Sequence, residues 1–212
     1  MKYFDEFSIE NLDILKEIGN IGAGNAATSL SIILNKKIQM KVPNVRVMTF
    51  DHVVEMAGGA ENVVAGIYFR VEGDAPCNLF FVLSIEQANT YIQQMIGDHL
   101  LSFDIPPYNE MALSALQELG NMLAGSYLSA LSDFTGLHLY PSVPATSIDM
   151  LGAILSYGFL ELSHYSDIAI VIDTALIDLH EDQMGVEGHF LLIPDPQSFD
   201  IIFHSLGVAV DE

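Results

Sequence analysis

Leu15 to Ala27 reads LKEIGNIGAGNAA and Leu116 to Leu128 reads LQELGNMLAGSYL, and the two segments align without a gap. Glu17, Gly19, Asn20, Ala23 and Gly24 map onto Glu118, Gly120, Asn121, Ala124 and Gly125, each pair 101 residues apart. At the same offset Pro43 maps onto Pro144 and Asp13 onto Ser114. The shared template is Asp or Ser, three residues, Glu, two residues, Asn, twenty-two residues, Pro. A chain carrying such a repeat is expected to fold from two similar units, with one candidate site on each.

The similarity continues toward the end of each unit, where Ser84 to Gly97 resembles Pro194 to Gly207 at an offset of 110 residues. The second unit is therefore nine residues longer. The extra length is expected between Ser156 and Gly188, where the polar stretches SHYSD and HEDQMG have loop composition. We read two homologous halves, 1–104 and 105–212, forming one globular unit. Gly97 to Pro107, with its glycine, aspartates and proline pair, joins them.

Apolar spacing predicts long helices over Ile9 to Leu34 and Asn109 to Leu131. Ser8 and Asn109 are suited to cap their starts, and Asn35 and Gly136, again 101 apart, tolerate the left-handed backbone that ends a helix. Shorter helices are expected at Asp51 to Met56, Ile85 to Ile96, Met150 to Leu162 and Gln197 to Ser205. Strands are expected at Val45 to Thr49, Val63 to Val71, Asn78 to Leu83, Ile168 to Thr174 and His189 to Ile193, where β-branched residues or alternation prevail. The class is α+β with an α/β-like mixture, a pseudo-two-fold duplication around a shared sheet.

Seven Lys and Arg stand against 28 Asp and Glu, a formal net charge of −21. That balance excludes a phosphate backbone as the leading ligand, because nucleic-acid affinity rests on basic side chains. With 50% hydrophobic and only 17% charged residues, the chain has the material for a substantial core. The single cysteine, Cys77, has no partner for a disulfide or a zinc site, which suits a reducing compartment. The acidic beginning and the absence of a long uncharged apolar run lead us to expect a soluble, cytoplasmic protein without membrane insertion. The histidines are scattered without metal-ligand spacing, so no metal site is expected. GAGNAA at Gly22 to Ala27 matches a loose dinucleotide fingerprint, but a helical pattern precedes it where a strand is required.

At 100° per residue, Asp13, Glu17 and Asn20 share one face of the first helix, with Gly24 directly below them. Leu15, Ile18, Gly22 and Ala26 lie on the opposite, core-facing side. A glycine on an exposed helical face costs about 1 kcal/mol relative to alanine. Gly125 repeats that position below Ser114, Glu118 and Asn121, so close approach of a partner to the helix is expected. A lone Glu and Asn on a helix most often mark an ordinary solvated face. Keeping both at identical spacing in two copies, while neighbours such as Lys16 and Gln117 differ, points instead to a functional face.

With these residues in view, the chain resembles the CheC family of chemotaxis phosphatases, within the larger CheC, CheX and FliY group. The template is intact twice, and the resemblance covers nearly the whole chain. It implies two long helices over a shared six-stranded sheet, and hydrolysis of the aspartyl phosphate on the response regulator CheY. It also implies that Glu17 and Glu118 anchor the regulator's active-site lysine while Asn20 and Asn121 orient the attacking water. On this reading Asp13, Ser114, Gly24, Gly125, Pro43 and Pro144 support the two sites, and Mg²⁺ arrives on the regulator, with no cofactor of the chain's own. A second partner, CheD, is implied, with Asp149 and Met150 as its candidate contacts. The competing reading is a non-catalytic adaptor of the flagellar switch that binds CheY or CheD.

Overall fold

The computed structural model describes residues 9–162, 168–178 and 185–207. The first half runs α1 (Ile9–Leu34), β1 (Ile38–Lys41), β2 (Val45–Thr49), α2 (Phe50–Met56), β3 (Val63–Gly73), β4 (Cys77–Ser84) and α3 (Ile85–Ile96). The second repeats that order as α4 (Glu110–Thr135), β5 (Leu139–Pro141), β6 (Ala145–Met150), α5 (Leu151–Leu162), β7 (Ile168–Asp178), β8 (Val186–Pro194) and α6 (Ser198–Ser205). The stretches SHYSD and HEDQMG lie outside the described residues, apart from Gly185.

The helix boundaries have local chemical causes. Asn109 caps α4, its Oδ1 accepting from the Met111 and Ala112 amides at 2.8 and 3.3 Å. Gly136, at φ 73°, ends that helix in the left-handed conformation, and Asn35 ends α1 at φ 48°. The helix thus continues one turn beyond Leu131. Ser84 caps α3 by accepting from the Gln87 amide, and Gly97 closes it at φ 75°.

All the strand pairings are antiparallel. Across the sheet the order is β1-β7-β8-β4-β3-β5, with β2 also on β7 and β6 also on β3. Eight strands therefore fill six positions, each outer position being shared by two short strands. The centre joins the halves through β4 and β8, with Leu79 opposite Leu192 and Phe81 opposite Phe190. The outer strands cross over: β1 and β2 pair with β7 of the other half, while β5 and β6 pair with β3. Strands β1, β5 and β6 were not expected from sequence. They are edge strands of three to six residues whose mixed exposure leaves no apolar alternation to read.

Alternation along the long strands divides the sheet into two faces. Ile67 and Phe69 of β3, Leu79 and Phe81 of β4, Ile170 of β7 and Phe190 of β8 join the large core beneath α1, α3 and α4. Val64, Phe80, Val171 and Leu191 face the other way, into a smaller core with Val53 of α2 and Leu151 and Leu155 of α5. Leu15, Ile18, Gly22 and Ala26 are buried, as the helical wheel requires. Helices α1 and α4 meet closely at Gly22, where an added Cβ would lie 2.9 Å from the Ser126 carbonyl oxygen and 3.0 Å from Tyr127 Cα. Tyr127 crosses Phe190 edge to face at 4.8 Å and shares a 3.0 Å hydrogen bond with Thr174. This contact holds the paired helices against the sheet. No helix among the described residues is long and apolar enough to cross a membrane.

Candidate functional site

Packing of the α1 and α4 apolar stripes against the sheet turns their opposite faces outward. On α1, Asp13, Glu17 and Gly24 are exposed and Asn20 is half-buried. On α4, Ser114, Glu118 and Asn121 are exposed and Gly125 is half-buried. An added Cβ at Gly24 or Gly125 would meet nothing within 4 Å, so neither glycine is required by internal packing. The Glu17 and Glu118 carboxylates form no ion pair among the described residues. Ser114 donates back to the Glu110 carbonyl at 2.9 Å and leaves the rest of the face open.

The two asparagines differ. Oδ1 of Asn20 accepts the Val42 amide at 3.0 Å, and Nδ2 donates to the Lys16 carbonyl at 3.0 Å. Its carboxamide thereby ties α1 to the turn between β1 and β2, immediately before Pro43, which is itself exposed. Val42 is only 2% exposed and packs over Gly19, where its Cγ2 lies 3.2 Å from the position of an added Cβ. Asn121 has no hydrogen-bond partner among the described residues. Its counterpart valine, Val143, is 84% exposed in the turn between β5 and β6, before half-buried Pro144. Gly120 is instead covered by Ile67, whose Cδ1 lies 2.7 Å from where a Cβ would be. The Val-Pro dipeptide recurs in both halves, so the sequence carried the spacing of this contact but no sign of which copy makes it.

Helix α3 supports the second face from below. Tyr91, 1% exposed, donates to Met95 Sδ at 2.9 Å. Burial first, with the nearby Glu118 carboxylate adding to it, pushes the Tyr91 phenol well above its ordinary range, so it stays protonated. Among the described residues no group of three or more His, Cys, Asp or Glu could hold a metal ion. Cys77 is buried in β4, and burial pushes its thiol up to about 12, far from a reactive thiolate. GAGNAA occupies the interior of α1 and not a strand-to-helix turn.

Asp149 and Met150 end β6 at the start of α5, both exposed. Asp149 Oδ1 accepts the Met150 amide at 2.7 Å, and Met150 lies opposite Val63 in the β3–β6 register. Met150 and Val63 are 45% and 46% exposed, an apolar pair beside an acid. Between α2 and the sheet lies a polar cluster that the sequence reading did not single out. Arg46 makes a two-pronged contact with Asp173 at 2.7 and 2.8 Å, and His189 Nδ1 lies 2.9 Å from the same carboxylate. The Asp173 amide donates to the Asn44 carbonyl at 3.0 Å, fixing the β1–β2 turn to β7. Arg46 and Asp173 are 127 residues apart, a separation no local pattern reveals.

The profile of the CheC-like family matches residues 10–47 and 111–148, the α1–β2 and α4–β6 segments. The chain is 45% identical to the CheY-P phosphatase CheC of Bacillus subtilis (strain 168) over 212 residues, 99% of this chain and 100% of that protein. Among solved structures, Thermotoga maritima FliY superimposes with a TM-score of 0.74 at 21% identity, covering 96% of this chain and 99% of that one. A chain of the CheX–CheY–BeF3–Mg²⁺ complex from Borrelia burgdorferi gives a TM-score of 0.51 at 15% identity, covering 82% of this chain and 96% of that one. With one relative matched along essentially the full length at that identity, and the family profile recurring on both repeats, the chain belongs to the CheC-like family.

Proposed function

We propose that this protein hydrolyses the aspartyl phosphate of the response regulator CheY, with Asn121 as the principal water-orienting group. The observation that carries the reading is the exposed Glu118–Asn121 pair above a glycine that packing does not need, in a chain related end to end to a CheY-P phosphatase. In the reaction a water oxygen bonds to phosphorus while the bond from phosphorus to the aspartyl oxygen breaks. Aspartate leaves as a carboxylate, inorganic phosphate is released, and the water's proton passes to phosphate or solvent. Such transfers are catalysed mainly by positioning and charge stabilisation. A carboxamide suits the first task, since its oxygen accepts from the water and its NH₂ donates to it. Glu118 supplies the negative charge that pairs with the regulator's lysine, and Mg²⁺ belongs to the regulator.

Glu17 and Asn20 form the equivalent pair on α1, but Asn20 must first release the Val42 amide. A hydrogen bond of that kind contributes about 0.5–1.5 kcal/mol, which lowers availability by roughly twofold to tenfold. The second site therefore carries most of the turnover. CheD is assigned to the separate surface of Asp149, Met150 and Val63, where an acid borders exposed apolar groups. Replacing Met150 with Asp is expected to weaken CheD capture without changing basal phosphate release.

The test is release of inorganic phosphate from phosphorylated CheY, with binding measured in parallel on beryllofluoride-activated CheY. Phosphate release that falls steeply in Asn121→Ala while binding survives supports the reading. Tight binding by wild type with no acceleration of release would instead make the chain an adaptor.

A further inference from the structure

The second half carries two exposed apolar side chains, one on α4 and one in the β5–β6 turn, that the acid and amide do not explain. Met111 is 63% exposed and lies one turn before Ser114. On the helical wheel it falls about 20° from Glu118, so it extends the same row toward the start of α4. Val143, 84% exposed, stands in the β5–β6 turn, whose first-half counterpart touches the Asn20 amide. Large apolar groups this open lose water contact only when something covers them.

The first half offers neither group in that form. The residue 101 positions before Met111 is Glu10, and Val42, the counterpart of Val143, is 2% exposed. The acid–amide pair recurs in both halves with different apolar flanks: Met111 and an exposed turn valine in the second, and Ile21, 49% exposed beside Asn20, in the first. A contact surface that combines a central polar pair with aliphatic neighbours is the arrangement that confers both orientation and affinity in protein interfaces.

We propose that Met111 and Val143 are docking residues that seat phosphorylated CheY on the α4 site, covering apolar surface at the rim of the regulator's phosphorylation site. This rests on the phosphatase reading. It adds that recognition at the second site is partly apolar and uses two side chains, Met111 and Val143, that have no exposed apolar counterpart at the equivalent positions of the first half. The occupant is the regulator and not a second copy of this chain, because Met111 continues the Glu118–Asn121 row on α4 and Val143 stands in the turn whose first-half counterpart reaches the equivalent amide, Asn20.

Steady-state hydrolysis of phosphorylated CheY by Met111→Glu, Val143→Asp, their combination and Met111→Leu provides the test. The combined variant is expected to raise KM about tenfold or more with kcat within twofold of wild type, and Met111→Leu should restore KM. Phe134→Glu, at a 54% exposed position on the far side of α4, serves as the surface-charge control and should leave KM unchanged. Because both sites are exposed, the melting temperatures should match wild type. An unchanged KM in the combined variant, while Asn121→Ala still loses most of the turnover, overturns the docking role and leaves the phosphatase reading standing. So does loss of self-association by sedimentation with KM unaltered. Absence of any wild-type hydrolysis overturns both.

Discussion

At the residue scale, the two halves present the same amide in different states, one hydrogen-bonded to a neighbouring turn and one open. Replacing Asn20 with Ala leaves the Val42 amide without its acceptor, an effect on the order of 1–2 kcal/mol on stability. Replacing Asn121 removes nothing internal, so stability should remain within about 0.5 kcal/mol of wild type. Urea denaturation of the two variants separates these outcomes. The kinetic order should be reversed, with Asn121→Ala losing the larger share of phosphate release. Sequence could place both amides on outward helix faces because the 3.6-residue period fixes direction. It could not foresee the Val42 contact, which depends on how deeply one turn packs over Gly19.

At the element scale, glycines on the two paired helices have opposite meanings, Gly22 on α1 and Gly125 on α4. Gly22 lies against α4 backbone that cannot yield, so Gly22→Ala should destabilise by about 1–3 kcal/mol through overpacking. Gly125 has open space above it, so Gly125→Ala should add about 0.5–1 kcal/mol of stability through helix propensity. The same methyl is expected to hinder CheY approach and raise KM. A more stable variant with unaltered KM would show that the glycine serves no docking purpose. The long helices, the Asn109 cap of α4, the helix ends and the core strands were legible because each has a strong local cause: periodicity, an Asn cap, a left-handed Asn or Gly, a run of apolar β-formers; Ser8, the expected cap of α1, lies outside the described residues. Edge strands β1, β5 and β6 were not, since their existence depends on partners in the opposite half.

At the scale of the whole molecule, that exchange of edges makes the halves interdependent. Residues 1–104 alone would leave β1 and β2 without β7, and β4 without β8. The fragment is expected to lack a cooperative thermal transition, and mixing it with 105–212 should restore one. The Arg46–Asp173–His189 cluster ties β2 to β7 and β8 across this boundary. Burial by itself would raise the Asp173 carboxyl, but hydrogen bonds from His189 and Arg46 outweigh it and hold the group below its ordinary range. A carboxylate lowered by folding contributes stability above its unfolded value, about 3.9, and loses it as pH falls through the folded value. Stability should therefore drop below about pH 4, and Asp173→Asn, weaker at neutral pH, should show a shallower acid decline. The most direct test of the central claim is inorganic phosphate release from phosphorylated CheY by wild type, Asn20→Ala, Asn121→Ala and the double variant. The account predicts modest loss in the first variant, large loss in the second and a rate in the double no faster than CheY alone. A double variant as fast as wild type would contradict it.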